Sequence, residues 1–207
     1  MRSIRRHCKP AAGVLLALVV LGGAGCALLV PEDERQEAHQ AFLAEREELE
    51  RWSVSGRAAL RASGEAVSLS LRWEQAPGMY AIDLSGPFGT GAVRIVGDGQ
   101  GVTLRDGTGR SMTADTPEEL LAVQTGHELP VRALADWIVG RPARGLKVDD
   151  LRLDGSGRPD RLRQADWSVQ FQGWEEVDGI DLPTRVDLQS GSKQLRVALS
   201  GWRVADG

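Results

Sequence analysis

Residues 80–96, YAIDLSGPFGTGAVRIV, decide how the rest of the chain is read. Tyr80, Ile82 and Leu84 alternate with Ala81, Asp83 and Ser85, and Val93 and Ile95 flank Arg94. Each arm therefore has the period of two of a strand with one face buried. The connection runs Gly86-Pro87, then Phe88, then Gly89-Thr90-Gly91, so a large aromatic stands where turn chemistry asks for Gly, Pro, Asn or Asp. Two readings of Phe88 follow: it folds back onto the core, or it is presented to something outside.

Moving toward the N-terminus, the alternation continues. Trp52, Val54, Gly56, Ala58 and Leu60 share one face, opposite Ser53, Ser55, Arg57 and Arg61. Val67, Leu69, Leu71 and Trp73 do the same against Ser68, Ser70, Arg72 and Glu74, giving four consecutive antiparallel strands. On the C-terminal side, Asp98-Gly99 and Asp106-Gly107 predict tight hairpins that carry the meander through 102–105 and 111–114. The glycine runs at 97–101 and 107–109 neither open a helix nor end in Gly-Lys-Ser/Thr, so they read as turns and not as phosphate loops.

Two short helices are predicted next. Thr116-Pro117-Glu118-Glu119 is a capping box with proline at the first helical position, and Gly126 is the stop. After Pro130, the residues Val131, Leu134, Ala135 and Ile138 recur at helical spacing with Trp137 beside them, up to Gly140-Arg141-Pro142. Strands then resume around 151–153, 167–171, 186–188 and 195–199. The apolar parity slips after Gly201 to Trp202 and Val204, predicting a bulge.

Residues 31–51, PEDERQEAHQAFLAEREELER, are polar nearly all round, with Ala38, Phe42 and Leu49 as the apolar positions. They predict a solvated, weakly packing helix, helped by Glu47 four residues ahead of Arg51. Ahead of it, Arg2, Arg5, Arg6 and Lys9 precede an apolar run from Ala11 to Leu21, too short to span a bilayer and suited to a secretory signal. The run ends at Gly23-Ala24-Gly25-Cys26, small residues before a cysteine, which resembles the cleavage site of bacterial lipoproteins. That likeness implies a signal peptide over 1–25 and acylation of Cys26, followed by a polar helix to residue 51 and one domain over 52–207.

Composition narrows the function classes. Removing the four basic residues of the leader leaves 21 Lys and Arg against 29 Asp and Glu, a net charge of −8. That argues against nucleic acid, and against a basic patch recruiting the protein to anionic lipid. Attachment to a membrane then rests on the acyl groups of Cys26, since two or more chains hold stably where one does not. With Cys8 in the leader and Cys26 acylated, no thiol remains for a disulfide or a thiolate metal site. No cofactor, metal site or catalytic residue is expected. His39 and His127 stand apart, and no Gly-x-Ser-x-Gly or His-Glu-x-x-His occurs. The carboxylate pairs Glu118-Glu119, Asp149-Asp150 and Glu175-Glu176 read as solvated surface.

Roughly ten strands with one wet face form a sheet that curls, and two helices of about nine residues each are too short to fill its concave side. The remaining volume is either plugged by large side chains or left as an apolar pocket. The residues that would line such a pocket by face are Trp52, Leu69, Leu71, Ile82, Leu84, Val93, Ile95, Leu134, Trp137, Ile138, Trp167 and Phe171; plain core packing suits the same positions.

The lipoprotein cleavage site, Trp52 with VSGRAALR at 54–61, MYAIDLSGPFGTGAVRIV at 79–96, TADTPEELL at 113–121 and LPVRALADWIVGRPA at 129–143 together resemble the LolB family. The resemblance implies an incomplete, half-open antiparallel β-barrel closed by a helical lid over about 116–140, as in LolA and LolB, with acyl chains held between. It implies an outer-membrane lipoprotein, anchored by lipid and facing the periplasm. Such a protein receives acylated lipoproteins from a LolA-like periplasmic carrier and inserts them into outer-membrane lipid without an energy source, as a monomer. It further implies a protruding loop between the third and fourth strands with an apolar tip, commonly Leu and here Phe88, flanked by Pro87 and Gly89. Ala27, in place of the Asp that signals inner-membrane retention, agrees with export. The alternative is a structural or other lipid-binding outer-membrane lipoprotein without transfer activity; a lipid hydrolase is a more distant third.

Overall fold

The computed structural model describes residues 30–205. The expected signal peptide and Cys26 lie outside them. The described chain runs α1 (Glu32–Glu47), β1 (Trp52–Ala62), β2 (Glu65–Ala76), β3 (Met79–Ser85), β4 (Val93–Asp98), β5 (Gly101–Asp106), β6 (Ser111–Ala114), α2 (Pro117–Thr125) and α3 (Val131–Trp137). It continues through β7 (Asp150–Leu153), β8 (Pro159–Gln164), β9 (Trp167–Phe171), β10 (Trp174–Val177), β11 (Ile180–Pro183), β12 (Arg185–Ser190) and β13 (Lys193–Val204). A single 3₁₀ turn, Pro87–Gly89, lies between β3 and β4.

Eleven strands form one antiparallel sheet in the order β6-β5-β4-β3-β2-β1-β13-β12-β9-β8-β7, while β10 and β11 form a separate hairpin. The edge strands β6 and β7 do not pair with each other, so the sheet curls without closing. This is the half-open barrel that the resemblance to the LolB family implies, and the curling sheet expected from the alternation has more strands than the roughly ten anticipated. β8 and the β10–β11 hairpin escaped notice because Arg161, Arg163, Glu175 and Glu176 dilute their apolar pattern. The predicted bulge is present: Ser53 pairs with Arg203 and Ser55 with Ser200, so the β13 segment between them carries an extra residue, with Gly201 at φ 63°.

The core lies on the concave face, where Trp52 packs against Trp73 and Trp202 with ring centroids 5.7 and 5.6 Å apart. Backbones approach closely in places. A Cβ on Gly56 would fall 2.1 Å from the Ala198 carbonyl oxygen, and one on Gly97 would enter the Tyr80 ring.

The N-terminal helix corrects the sequence reading. It ends at Glu47, leaving Arg51 beyond it, and no Glu47–Arg51 ion pair forms among the described residues. It also packs firmly, with His39, Phe42 and Arg46 buried. These recur at i, i+3 and i+7, a buried stripe that an apolar count misses because two of its members are polar. The Phe42 ring meets Trp174 edge-on at 5.5 Å. Arg46 lies over the Phe42 ring and donates to the carbonyls of Phe42 at 2.7 Å, Val139 at 3.0 Å and Asp181. One buried cation thereby ties α1, the segment after α3 and the β10–β11 hairpin together.

His39 Nδ1 donates to the Gly157 carbonyl at 2.9 Å. Burial holds its pKa below the usual 6.5, against the opposing hydrogen bond to Gly157, and the charge of Arg46 lowers it further. In the unfolded chain the ring takes up a proton near 6.5, while the folded ring resists it, so the unfolded state binds more protons as pH falls below that value. Unfolding free energy from urea titrations is expected to decline as pH drops below about 6.5, and the His39→Gln variant to show a flatter profile through that window.

Candidate functional site

The inner face is not covered evenly. Trp73, Leu71, Ile82, Ile95, Val102 and Leu104 are buried on β2–β5, as are Val169, Val186, Leu188, Leu195 and Val197 on the other half of the sheet. Toward the end of β1–β6 that carries the β1–β2 and β3–β4 connections, the same face is progressively uncovered. Leu60, Leu69, Leu84 and Val93 are part-exposed there, Val67 is 46% exposed and Met112 38%. Register joins them into one margin: Leu60 pairs with Val67, Leu84 with Val93, and Leu104 with Met112.

The Phe88 turn projects from this end. Phe88 is fully exposed, at 105%, and sits in left-handed backbone at φ 57°, ψ 25°. An aromatic in that region costs about 1 kcal/mol or more, so the turn must be held by its neighbours. It is held by Gly86 N–H to Thr90 O at 2.7 Å, Gly89 N–H to Gly86 O at 3.1 Å, Thr90 N–H to Pro87 O at 3.2 Å and Thr90 Oγ1 to Pro87 O at 2.9 Å. Pro87 presets the turn's first residue, and Gly89 takes φ 78°. Of the two sequence readings of Phe88, the exposed one is observed.

The two lid helices differ in how firmly they are docked. On α3, the buried Trp137 donates through Nε1 to Gln164 Oε1 at 2.9 Å. Gln164, itself buried on β8, also accepts from Ala143 N at 2.8 Å and donates to the carbonyls of Ala143 at 3.2 Å and Leu146 at 3.0 Å. Asp136 accepts from Arg141 Nε at 2.8 Å and from the Arg144 backbone N–H at 2.9 Å, while Arg141 reaches back to the Arg46 carbonyl. α2 has Thr116 as its cap, accepting from the Glu119 N–H at 3.3 Å, and Gly126 in left-handed conformation at its end. Its buried apolar contribution rests on Leu120 and Leu121, while Val123 is 71% exposed. Glu118 joins it to α3 by accepting from Arg132 N at 2.9 Å and Nε at 3.1 Å.

Of the predicted lining residues, Trp52, Leu71, Ile82, Ile95, Leu134, Trp137, Ile138, Trp167 and Phe171 all fall in one buried cluster. In this conformation these side chains pack against one another beneath the lid helices. Leu69, Leu84 and Val93 instead belong to the exposed margin. Sequence reasoning missed Arg46, Asp136, Arg141 and Gln164. Gln164 left a signal, a polar residue at the inner parity of β8 two places after Leu162.

Tyr80, beneath the start of α2, has a buried hydroxyl without a hydrogen-bond partner. Burial, reinforced by Glu118 and opposed by Arg132, pushes its pKa up to about 12. A closed lid thus carries an unsatisfied polar atom. Tyr80→Phe is expected to raise unfolding free energy by about 1 kcal/mol, measured by urea titration, because it removes the atom and keeps the ring.

Known proteins share both sequence and architecture with this chain. Residues 50–202 match the family model described as outer membrane lipoprotein LolB. The outer-membrane lipoprotein LolB of Halorhodospira halophila is 69% identical over 195 residues, covering 94% of this chain and 95% of that protein. The one from Alkalilimnicola ehrlichii is 40% identical over 191 residues, covering 92% and 94%. Among solved structures, a LolA superfamily protein from Nitrosomonas europaea superposes with a TM-score of 0.53 at 10% identity, covering 82% of this chain and 94% of that one. A DUF1329 family protein from Desulfovibrio piger gives 0.54 at 11% identity, covering 84% and 94%; both likenesses concern the fold alone. With its half-open sheet, its lid helices and a family match across nearly all of the sheet, the chain belongs to the outer membrane lipoprotein LolB family.

Proposed function

We propose that this protein is an outer-membrane lipoprotein receptor that takes acylated lipoproteins from a LolA-like periplasmic carrier and passes them into the outer membrane. The observation that carries the reading is the uncovered apolar margin beside Phe88, bordering an interior closed by a lightly held helix. Cys26 carries the acyl anchor, the receptor acts as a monomer, and no nucleotide takes part because each acceptor binds the tails more favourably than the donor.

Magnitudes support lid movement over a permanently open cavity. The bare tails of a triacylated client, with some forty methylenes at about 0.8 kcal/mol each, would cost roughly 30 kcal/mol in water. Lifting α2 uncovers Leu120 and Leu121, at about 1.5–3 kcal/mol each. Tails handed over by the carrier never meet the cost of exposure to water, and as they enter they cover Leu120 and Leu121 again, which offsets the modest cost of displacing α2. Displacing α3 would break the Trp137–Gln164 and Asp136–Arg141 contacts as well, so α2 is the part that yields. Tails enter at Leu69, Leu84 and Val93 and progress toward Leu71, Ile82 and Ile95 as α2 lifts.

Phe88, with Pro87 and Gly89, forms the membrane-transfer loop. Its ring contributes about 1.5–3 kcal/mol on entering lipid, little beside an acyl anchor, so it acts locally on headgroups at the point of release. In an assay that moves a labelled lipoprotein from carrier to receptor to liposomes, Phe88→Glu is expected to leave carrier-to-receptor transfer intact and to lower delivery to liposomes. Undiminished delivery by this variant would remove the proposed role of Phe88, and failure of the parent protein to take the client from the carrier would remove the receptor reading itself.

A further inference from the structure

The net charge of the mature chain conceals a segregated arrangement. Acidic residues crowd α1 and the loops, whereas arginines collect on the outer face of the sheet. Arg57 and Arg61 on β1, Arg72 on β2 and Arg105 on β5 are exposed, and none forms an ion pair among the described residues. The sequence-based argument against a basic patch, drawn from net charge alone, is corrected by this distribution.

Two grooves score the outer face at the Phe88 end. One, of about 380 Å³, is lined by residues including Arg57, Ser68, Leu69, Ser70, Ser85 and Phe88. The other, of about 440 Å³, is lined by residues including Arg61, Gln170, Asp187, Gln194 and Arg196, and Ser68 borders both. They form a trough running from the Phe88 turn across β2 and β1 to β13 and β12. Its acidic member, Asp187, is already neutralised by Arg185 at 2.7 Å and Arg196 at 3.3 Å. Hydrogen bonding to Arg185, with the charges of Arg185 and Arg196, keeps that carboxyl below its usual range. Arg57 and Arg61 remain as unpaired guanidinium groups beside the hydroxyls of Ser68, Ser70 and Ser85.

We propose that this trough is a docking surface for the phosphate headgroups of an anionic bilayer, with Arg57 and Arg61 as its phosphate-binding residues. Guanidinium groups match phosphate oxygens in geometry and carry permanent charge, and neighbouring hydroxyls supply further donors. An aromatic tip at one end of the trough fits a bilayer, whose headgroups lie directly above apolar lipid, better than a folded acidic protein. Juxtamembrane arginines gain from the negative surface potential of such a bilayer within about a Debye length. The placement also orients the molecule: arginines face headgroups on the outer side of this end, Phe88 enters between them, and the apolar margin on the inner side opens toward lipid. The proposal rests on the receptor reading only for that last point.

The test uses residues 30–207, which contain every described element and lack the acyl anchor, in co-sedimentation with vesicles of phosphatidylcholine alone or mixed with phosphatidylglycerol. Binding is expected to be stronger on the mixed vesicles and to weaken as salt rises. The Arg57→Gln/Arg61→Gln variant should lose about twenty-five-fold in partitioning to mixed vesicles, about fivefold for each charge. The Arg57→Lys/Arg61→Lys variant should recover most of it, and unchanged circular dichroism confirms that all forms are folded. Equal binding to both vesicle types, or parental binding by the Gln variant, overturns the proposal. Parental vesicle binding by the Gln variant together with lost cross-linking to the carrier overturns it in favour of an acidic protein partner. No carrier or client enters the vesicle assay, so its failure leaves the receptor reading intact, and that reading fails separately in the client-transfer assay.

Discussion

The structure depends on a mismatch of area. An eleven-stranded antiparallel sheet presents an apolar face that the lid and hairpin elements do not wholly cover. Over β8, β9 and β12 the inner face is well covered, with Leu162, Val169, Phe171, Val186 and Leu188 buried, and Trp137, Ile138 and Leu182 are fully buried. Over β1–β6 it stops short, leaving Val67, Leu69, Leu84, Val93 and Met112 in partial contact with water. Contiguous exposed apolar surface of this kind is a liability unless something is meant to meet it. Here it borders both the less firmly held lid helix and the exposed Phe88 turn, which gives it a use.

Rigidity is distributed to match. Arg46, Arg141 and Asp136 form a connected set of buried polar contacts that joins α1 to α3 and to β11, and Gln164 on β8 makes a second set with Trp137, Ala143 and Leu146. Arg46, Arg141, Asp136 and Gln164 each reach backbone carbonyls or amides, so moving any one of them leaves several groups unpaired at about 1–3 kcal/mol each. The polar contacts seen for α2 among the described residues are its Thr116 cap and the exposed Glu118–Arg132 pair, and the Tyr80 hydroxyl beneath it lacks a partner. In the proposed receptor, α3 is the wall that this set of contacts holds in place and α2 the one that lifts.

Most of the architecture was legible because alternation survives wherever one face of a strand is buried and the other is wet. The capping box at Thr116, the stop at Gly126 and the bulge at Gly201 could be read for the same reason, since each depends on local chemistry. What escaped notice depends on distant partners. His39 and Arg46 look like solvent-facing residues until Gly157, Val139 and Asp181 are brought to them from more than 90 positions away. The exposure of Phe88 was one of two readings, decided in the structure by a turn whose hydrogen bonds close on themselves and direct the ring outward. Which of the twelve inner-face candidates are buried and which form the margin was not legible, because alternation assigns a face and says nothing of what covers it.

The pairing of β1 with β13 has a bearing on how the chain is built. These two strands lie side by side in the middle of the sheet, in register from Trp52 with Val204 to Arg61 with Gln194, yet they stand at opposite ends of the described sequence. Each half of the sheet can zip up by nearest-neighbour hairpins, but the seam that unites them waits for the last strand to arrive. Bringing such remote segments together carries a large chain-closure entropy and makes assembly slow. For a polypeptide that crosses a membrane N-terminus first, the finished sheet can therefore exist only on the far side, after translocation of its final strand is complete.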